Sequence, residues 1–316
     1  MWADSGADSG PAEGLLVVGE ALVDVVHGRG GSVRRHAGGS PANVAVGLAR
    51  LDRPVHLLTR TGDDPHGALV RGHLRAAGVR LVGTTVDDRP TATAAAFLDA
   101  TGAARYEFDL HWELPDAPPL PAGIVALHVG SIGAYLEPGA DAVDRIVREL
   151  RGRATVSYDP NIRPALAADP DRVRNQIVAM VGLSDLVKVS DEDLAWLWPD
   201  ASPEAVATEW LGSGPAIVVV TEGARGSFAL TRDGLTRVPA RPVSVVDTVG
   251  AGDAFTVGLL DALAAADLLG AGRRAALRRV DGPTLHRVLD HAARLSAYVC
   301  ARPGAQSPST ADLAAA

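Results

Sequence analysis

The chain has 316 residues, a size that suits one large domain or a domain with an appendage. Its 47% hydrophobic and 22% charged residues describe a soluble globular protein, and a formal net charge of −8 without any basic run argues against nucleic acid or an anionic membrane as partner. The only cysteine, Cys300, excludes a disulfide framework or a cysteine metal cluster and fits a reducing cytoplasm, while the only lysine, Lys188, follows Val187, so no P-loop exists.

Residues 1–14 are acidic and rich in Gly, Ala and Ser; lacking a basic and an apolar region, they read as a disordered tail rather than a secretory signal. No apolar run reaches membrane-spanning length. Residues 15–20 form the first apolar run and predict a core strand; 21–26 alternate and carry Asp24 out of the core. Residues 28–31 read as a turn and 33–36 as a short polar strand. After Gly38-Gly39-Ser40-Pro41-Ala42-Asn43, helical spacing covers 44–51. A second core strand is expected at 55–59, a turn at 61–64, and a helix at 67–77 closed by Gly78.

From 84 to 112 the texture changes. Strand-like segments at 91–98 and 105–110 are joined by a hairpin signal at 99–102, and no helix follows either one. This predicts a small β appendage paired with residues 22–36, with 114–121 leading back to the core. Strand and helix then alternate: strands at 124–129, 154–158, 186–189 and 216–220, helices at 138–151, 172–181, 191–197 and 203–211. Segments 227–230 and 235–238 flank Asp233-Gly234, a strong hairpin signal. Helices at 253–268 and 285–299 close the chain. Such alternation argues for a parallel sheet covered on both faces.

Two stretches carry chemistry. Asp247-Thr248-Val249-Gly250-Ala251-Gly252-Asp253 places a tight glycine turn before a helix, where unpaired N–H groups and the helix dipole make an anion site. Asp253 at its mouth would repel a phosphate unless it is there to accept a proton, which suggests phosphoryl transfer; the alternative is a turn with a stabilising helix charge. Gly38, Gly39 and Asn43 permit close backbone approach and offer a donor and an acceptor to a hydroxyl, or are a turn and a first helical turn. No glycine fingerprint of a dinucleotide fold follows the first strand, which opposes a nicotinamide-dependent dehydrogenase.

With Gly19-Glu20-Ala21-Leu22-Val23-Asp24 and Asp159-Pro160-Asn161-Ile162-Arg163-Pro164, these motifs resemble the ribokinase-like (PfkB) family over residues 15–306, and within it bacterial fructokinases. The resemblance implies a three-layer α/β/α sandwich with a mainly parallel central sheet, spanning 15–316, and a β-sheet lid inserted from about 22–36 and 84–113. It implies ATP-dependent phosphorylation of a sugar hydroxyl, with Mg²⁺ and K⁺. Asp253 would be the general base, and the N–H groups of Gly250, Ala251 and Gly252 the anion hole. Asp24, Gly38, Gly39, Asn43, Phe97, Phe108 and Arg163 would face the substrate. Lys188, Ser190, Thr221, Gly223, Gly226, Gly252 and His291 would face the nucleotide. Asp193 would hold Mg²⁺ through water, and Asp247, Val249 and Gly304 the monovalent cation. A cytoplasmic homodimer joined through the lid is the implied form.

The chain departs from the family pattern at three places. Asp193 stands for a Glu, His291 for an Asn of the adenine pocket, and Phe108-Asp109-Leu110-His111 lacks the Arg of fructokinase lids. A kinase of ribose, 2-keto-3-deoxygluconate or a nucleoside, and a non-catalytic nucleotide-binding regulator, are the other readings.

Overall fold

Strands that are apolar on both faces need helices on both sides. The computed structural model, which describes residues 14–28, 32–83, 85–98 and 104–315, has that arrangement. The expected tail apart from Gly14, residues 29–31 of the first turn and the turn at 99–102 lie outside the described residues.

The chain opens with β1 (Gly14–Val18), β2 (Leu22–His27), β3 (Val33–Gly38), α1 (Ser40–Arg50), β4 (Val55–Leu58), β5 (Arg60–Gly62) and α2 (Pro65–Ala76). Four strands follow: β6 (Arg80–Leu81), β7 (Thr85–Asp87), β8 (Thr93–Leu98) and β9 (Ala104–Asp109). Then come β10 (Ile124–Gly130), α3 (Gly139–Leu150), β11 (Thr155–Asp159), α4 (Pro170–Leu183), β12 (Leu186–Ser190), α5 (Asp191–Leu197) and α6 (Pro203–Ser213). The chain ends with β13 (Ile217–Thr221), β14 (Ser227–Thr231), β15 (Gly234–Val238), α7 (Ala251–Ala265), α8 (Arg274–Leu277), α9 (Gly282–Cys300) and α10 (Thr310–Ala314).

The large sheet runs β15-β14-β13-β12-β11-β10-β1-β4-β6, parallel except at the β13–β14–β15 end. Side chains alternate between two cores. On β1, Leu15 and Val17 join α1, α7 and α9, whereas Leu16 and Val18 join α3, α4 and α6. Helix α7 is apolar on most sides because it lies between the sheet, α1 and α9. A Cβ at Gly258 would fall 2.5 Å from Ala292 Cα, so the absent side chain is what lets α7 and α9 touch.

The lid is the four-stranded sheet β3-β2-β8-β9, with β2 and β8 parallel. Residues 85–87, expected within it, are placed elsewhere. Strand β7 pairs with β5 in a two-stranded sheet, and β6 joins the edge of the large one. The reason is local: the Arg60 guanidinium is ion-paired with Asp87, and Asp63 N donates to Asp87 O at 2.7 Å. The helix starts at the two motifs also shift. Helix α1 begins at Ser40, since Pro41 suits a first turn whose N–H has no acceptor, and α7 begins at Ala251. Both shifts put the polar residues of the two motifs into first helical turns.

Candidate active site

Asp253 is the third residue of α7 and is buried, 8% exposed. The Ser40 hydroxyl donates to its Oδ1 at 2.6 Å and Asn43 Nδ2 to its Oδ2 at 2.8 Å, so the first turn of α1 grips the carboxylate that opens α7. Burial pushes Asp253 above the ordinary carboxylate range, and these two hydrogen bonds pull against it. The turn before it depends on Gly250, which caps α7 with φ 79°; a Cβ there would fall 2.4 Å from Ala305 Cβ. Ala251 N donates to Thr248 O at 3.1 Å, while the N–H groups of Gly252 and Asp253 belong to the first turn, which has no intrahelical acceptors.

Beneath this turn runs a buried polar row on the α7 side of the sheet. His128 of β10 pairs in register with Ser157 of β11, their side chains 3.2 Å apart, and Asp159 follows two residues on. Lys188 of β12 gives Asp159 Oδ2 a 2.9 Å bond, and the Thr256 hydroxyl donates to the same oxygen at 3.3 Å. A Cβ at Gly252 would fall 3.1 Å from Lys188 Nζ, so the ammonium group lies directly under the turn. Burial by itself would lower the Lys188 pKa; Asp159 outweighs it and the pKa is raised. Burial pushes His128 down to about 4, keeping it neutral.

The sugar-side candidates converge from β2 and α1. Asp24 is pushed up to about 6 by burial, while His36 and Arg163 pull it down and Asp253 pushes it up. Its carboxylate lies over Gly38, where a Cβ would be 2.1 Å from Oδ2. At Gly39, φ is 100° and a Cβ would fall 2.7 Å from Glu20 O, so that position needs glycine. Arg163 turns its Nη1 back onto Asn161 Oδ1 at 2.7 Å, and its backbone N–H donates to the Tyr135 hydroxyl. Its charge acts on both Asp24 and Glu20.

The nucleotide and cation candidates lie at the ends of β12 and β13 and beside α7. Ser190 caps α5 through Asp193 N, and Asp193 Oδ1 accepts from Ile162 N at 2.9 Å, tying α5 to the loop after β11. Burial and the nearby charge of Asp159 push Asp193 upward. Thr221 ends β13, and Gly223 and Gly226 bound the loop that returns to β14, closed by Glu222 N to Gly226 O at 2.8 Å. Asp247 accepts from Val249 N at 3.0 Å and from Gly304 N at 2.9 Å, joining the turn before α7 to the segment after α9. Val245, Val246 and Val249 stand exposed beside it, an apolar patch at the mouth of the turn.

Two candidates fall away from this cluster. Residues directly opposite in a sheet share a face, and Asp24 is opposite Ala94, which is opposite Phe108. Phe108 therefore lies on the Asp24 face. Phe97, opposite His27, lies on the other face and stacks on His27 at 4.4 Å. His291 pairs with Asp261 at 2.8 Å, and Arg53 pairs with the same carboxylate at 2.6 Å. Asp261 is eight residues beyond Asp253, about 12 Å along α7.

Ser40 and Thr256 are not among the sequence candidates for the site, and Asp159 enters there only as part of the motif after the 154–158 strand, with no role of its own. A lone lysine in the apolar strand Leu186–Ser190 signals that a buried counter-charge exists, without saying which residue supplies it. Ser40 has no signal beyond its place before a helix.

Residues 13–312 match the pfkB family of carbohydrate kinases. The chain belongs to that family. It is 37% identical over 260 residues to a fructokinase of Klebsiella pneumoniae, covering 79% of this chain and 84% of the relative. A crystal structure of fructokinase with bound ATP from Xylella fastidiosa superposes with a TM-score of 0.84 at 27% identity, covering 96% of this chain and 97% of the other. A fructokinase double mutant from Vibrio cholerae, bound to fructose, ADP and a potassium ion, gives 0.78 at 26% identity, with 97% and 99% covered. The three-layer fold with a lid is the ribokinase-like one, and the chain is a carbohydrate kinase.

Proposed function

We propose that this kinase transfers the γ-phosphoryl group of ATP to a hydroxyl of fructose. The observation that carries the reading is Asp253, a buried carboxylate gripped by Ser40 and Asn43 at the glycine-built start of α7 and electrostatically coupled to Asp24 across the cleft. Asp253 takes the proton of the attacking hydroxyl. The N–H groups of Gly252, of Gly250 and of Ala251, the last shared with Thr248 O, receive the charge that develops on the phosphoryl oxygens. Asp24, Gly38, Gly39 and Asn43 hold other sugar hydroxyls, with Phe108 above them and Arg163 at the rim. The apolar patch of Val245, Val246 and Val249 gives the adenine a surface, and Thr221, Gly223 and Gly226 shape the loop beside it.

The donor chemistry fits Mg²⁺. Among the described residues no group of three or more His, Cys, Asp or Glu side chains is placed to hold a metal, so carboxylates would act through water together with the phosphates. Asp193 suits that role, as does Asp159, whose Oδ1 is buried without a hydrogen-bond partner among the described residues. When bound, Mg²⁺ offsets phosphate charge. Asp247, with backbone oxygens near Val249 and Gly304, has the hard donors that K⁺ takes. Among the described residues no helix is long and apolar enough to cross a membrane, and we place the enzyme in the cytoplasm. The lid's edge strands β3 and β9 are where two copies would pair into a homodimer, measurable by light scattering.

The test is ADP release from ATP with fructose, ribose, 2-keto-3-deoxygluconate and nucleosides, with and without K⁺ and Mg²⁺. Fastest turnover on fructose is expected. Preference for another acceptor would overturn the sugar assignment, and no turnover on any would favour a non-catalytic nucleotide binder.

A further inference from the structure

The lid places one side chain beside Asp24 that neither the glycine motifs nor the anion turn accounts for. In the β2–β3 ladder Asp24 is directly opposite His36, so both project from the same face. Ala94 and Phe108 complete that row across β8 and β9. His36 is exposed, and it acts on the Asp24 carboxylate through its charge. Gly38 and Arg34 flank it on the same face of β3, and Ala94 and Ala96 lie on that face of β8. An exposed imidazole therefore stands next to the carboxylate that would hold the sugar, on β3 rather than on the α1–α7 side where Asp253 is gripped.

We propose that His36 is a specificity residue that hydrogen-bonds a hydroxyl of the sugar distal to the transferred phosphoryl group, forming with Asp24 a two-sided grip on neighbouring hydroxyls. This rests on the sugar-kinase reading of the cleft. An imidazole can donate or accept, so it complements Asp24, which when ionised only accepts. The grip recognises a polyhydroxylated ligand through adjacent hydroxyls. It gives the lid a polar contact of its own in the row that Ala94 and Phe108 continue.

His36→Ala and His36→Gln test it in the full-length enzyme, by sugar binding in calorimetry with fructose as probe and by steady-state kinetics. His36→Ala should weaken fructose binding and raise its KM about three- to tenfold, the worth of one hydrogen bond, with KM for ATP unmoved and the loss in KM rather than kcat. His36→Gln should recover most of the binding. The groups acting on Asp24 are His36 from β3, Arg163 from the loop after β11 and Asp253 from α7. Losing His36 removes a charge that lowers Asp24, so the acid limb of kcat/KM should move to higher pH in both variants. Unchanged fructose affinity in His36→Ala overturns the proposal, as does an equal fall of kcat and of ATP affinity, which marks general damage to the lid. Absence of sugar turnover by the wild-type enzyme overturns the kinase reading instead, and calorimetry still reports whether His36 touches the sugar; no detectable fructose binding by the wild type overturns both.

Discussion

Lys188 Nζ lies 2.9 Å from Asp159 Oδ2, and both side chains are buried directly beneath the turn that opens α7. Removing one member of such a pair leaves an uncompensated charge in the interior, which costs about 3–5 kcal/mol. Lys188→Met should therefore lose stability of that order in urea unfolding. Combining it with Asp159→Asn should recover much of the loss, because neither charge is then left alone. A double variant as unstable as the sum of the singles would show that the two residues act independently.

The same pair acts on the base with opposite signs. Lys188 favours ionised Asp253 and Asp159 opposes it. In kcat against pH, Lys188→Met should shift the acid limb to higher pH, and Asp159→Asn should shift it to lower pH. General loosening of the site would move both variants the same way, and that outcome would reject electrostatic control of Asp253.

Asp253→Asn keeps the shape of the side chain and removes the proton acceptor. Turnover should fall about 10²–10⁴-fold, the usual worth of a positioned base, with ATP affinity within about twofold of wild type by calorimetry. Turnover within tenfold of wild type would remove Asp253 from the base role.

Much of this arrangement was legible in the chain. Apolar runs ending in Gly, Asp or Ser located the strands, and Gly250 to Asp253 located the anion turn, because backbone shape and charge there depend on neighbouring residues. The lid's register was not legible. Whether Phe97 or Phe108 shares a face with Asp24 depends on which residues stand opposite one another, and a one-residue slip reverses the answer. The partner of Lys188 is set by sheet order, and that of His291 by the contact between α7 and α9. Both are tertiary facts, invisible to local spacing. The short helices α8 and α10 are too brief to show a period.

Gly250→Ala tests the turn itself. With φ 79° and a Cβ falling 2.4 Å from Ala305, alanine would be strained in both conformation and contact. Unfolding should show a loss of at least about 1 kcal/mol, and turnover should fall because the N–H groups after Gly250 lose their direction. Wild-type stability together with wild-type turnover would mean that the turn tolerates a different backbone.

Glu20 links the end of β1 to the loop after β10, accepting from Gly133 N at 2.9 Å while 3% exposed. Burial pushes it up to about 7 from an ordinary value of 4.5, against the pull of its hydrogen bonds and of Arg163. Between those two values the folded protein holds a proton that the unfolded chain has released, so this group lowers stability as pH rises from 4.5 through 7. Asp24 adds to that slope between 3.8 and about 6. His128 opposes it, since a folded-state value near 4 against 6.5 makes stability rise with pH across that interval. Glu20→Gln never ionises and can still accept from Gly133 N. Relative to wild type its unfolding free energy should improve on going from pH 5 to pH 8, by about 3 kcal/mol for a shift of this size. A difference between the two proteins that is the same at both pH values would mean that Glu20 is ionised throughout, held by the polar groups around it despite its burial.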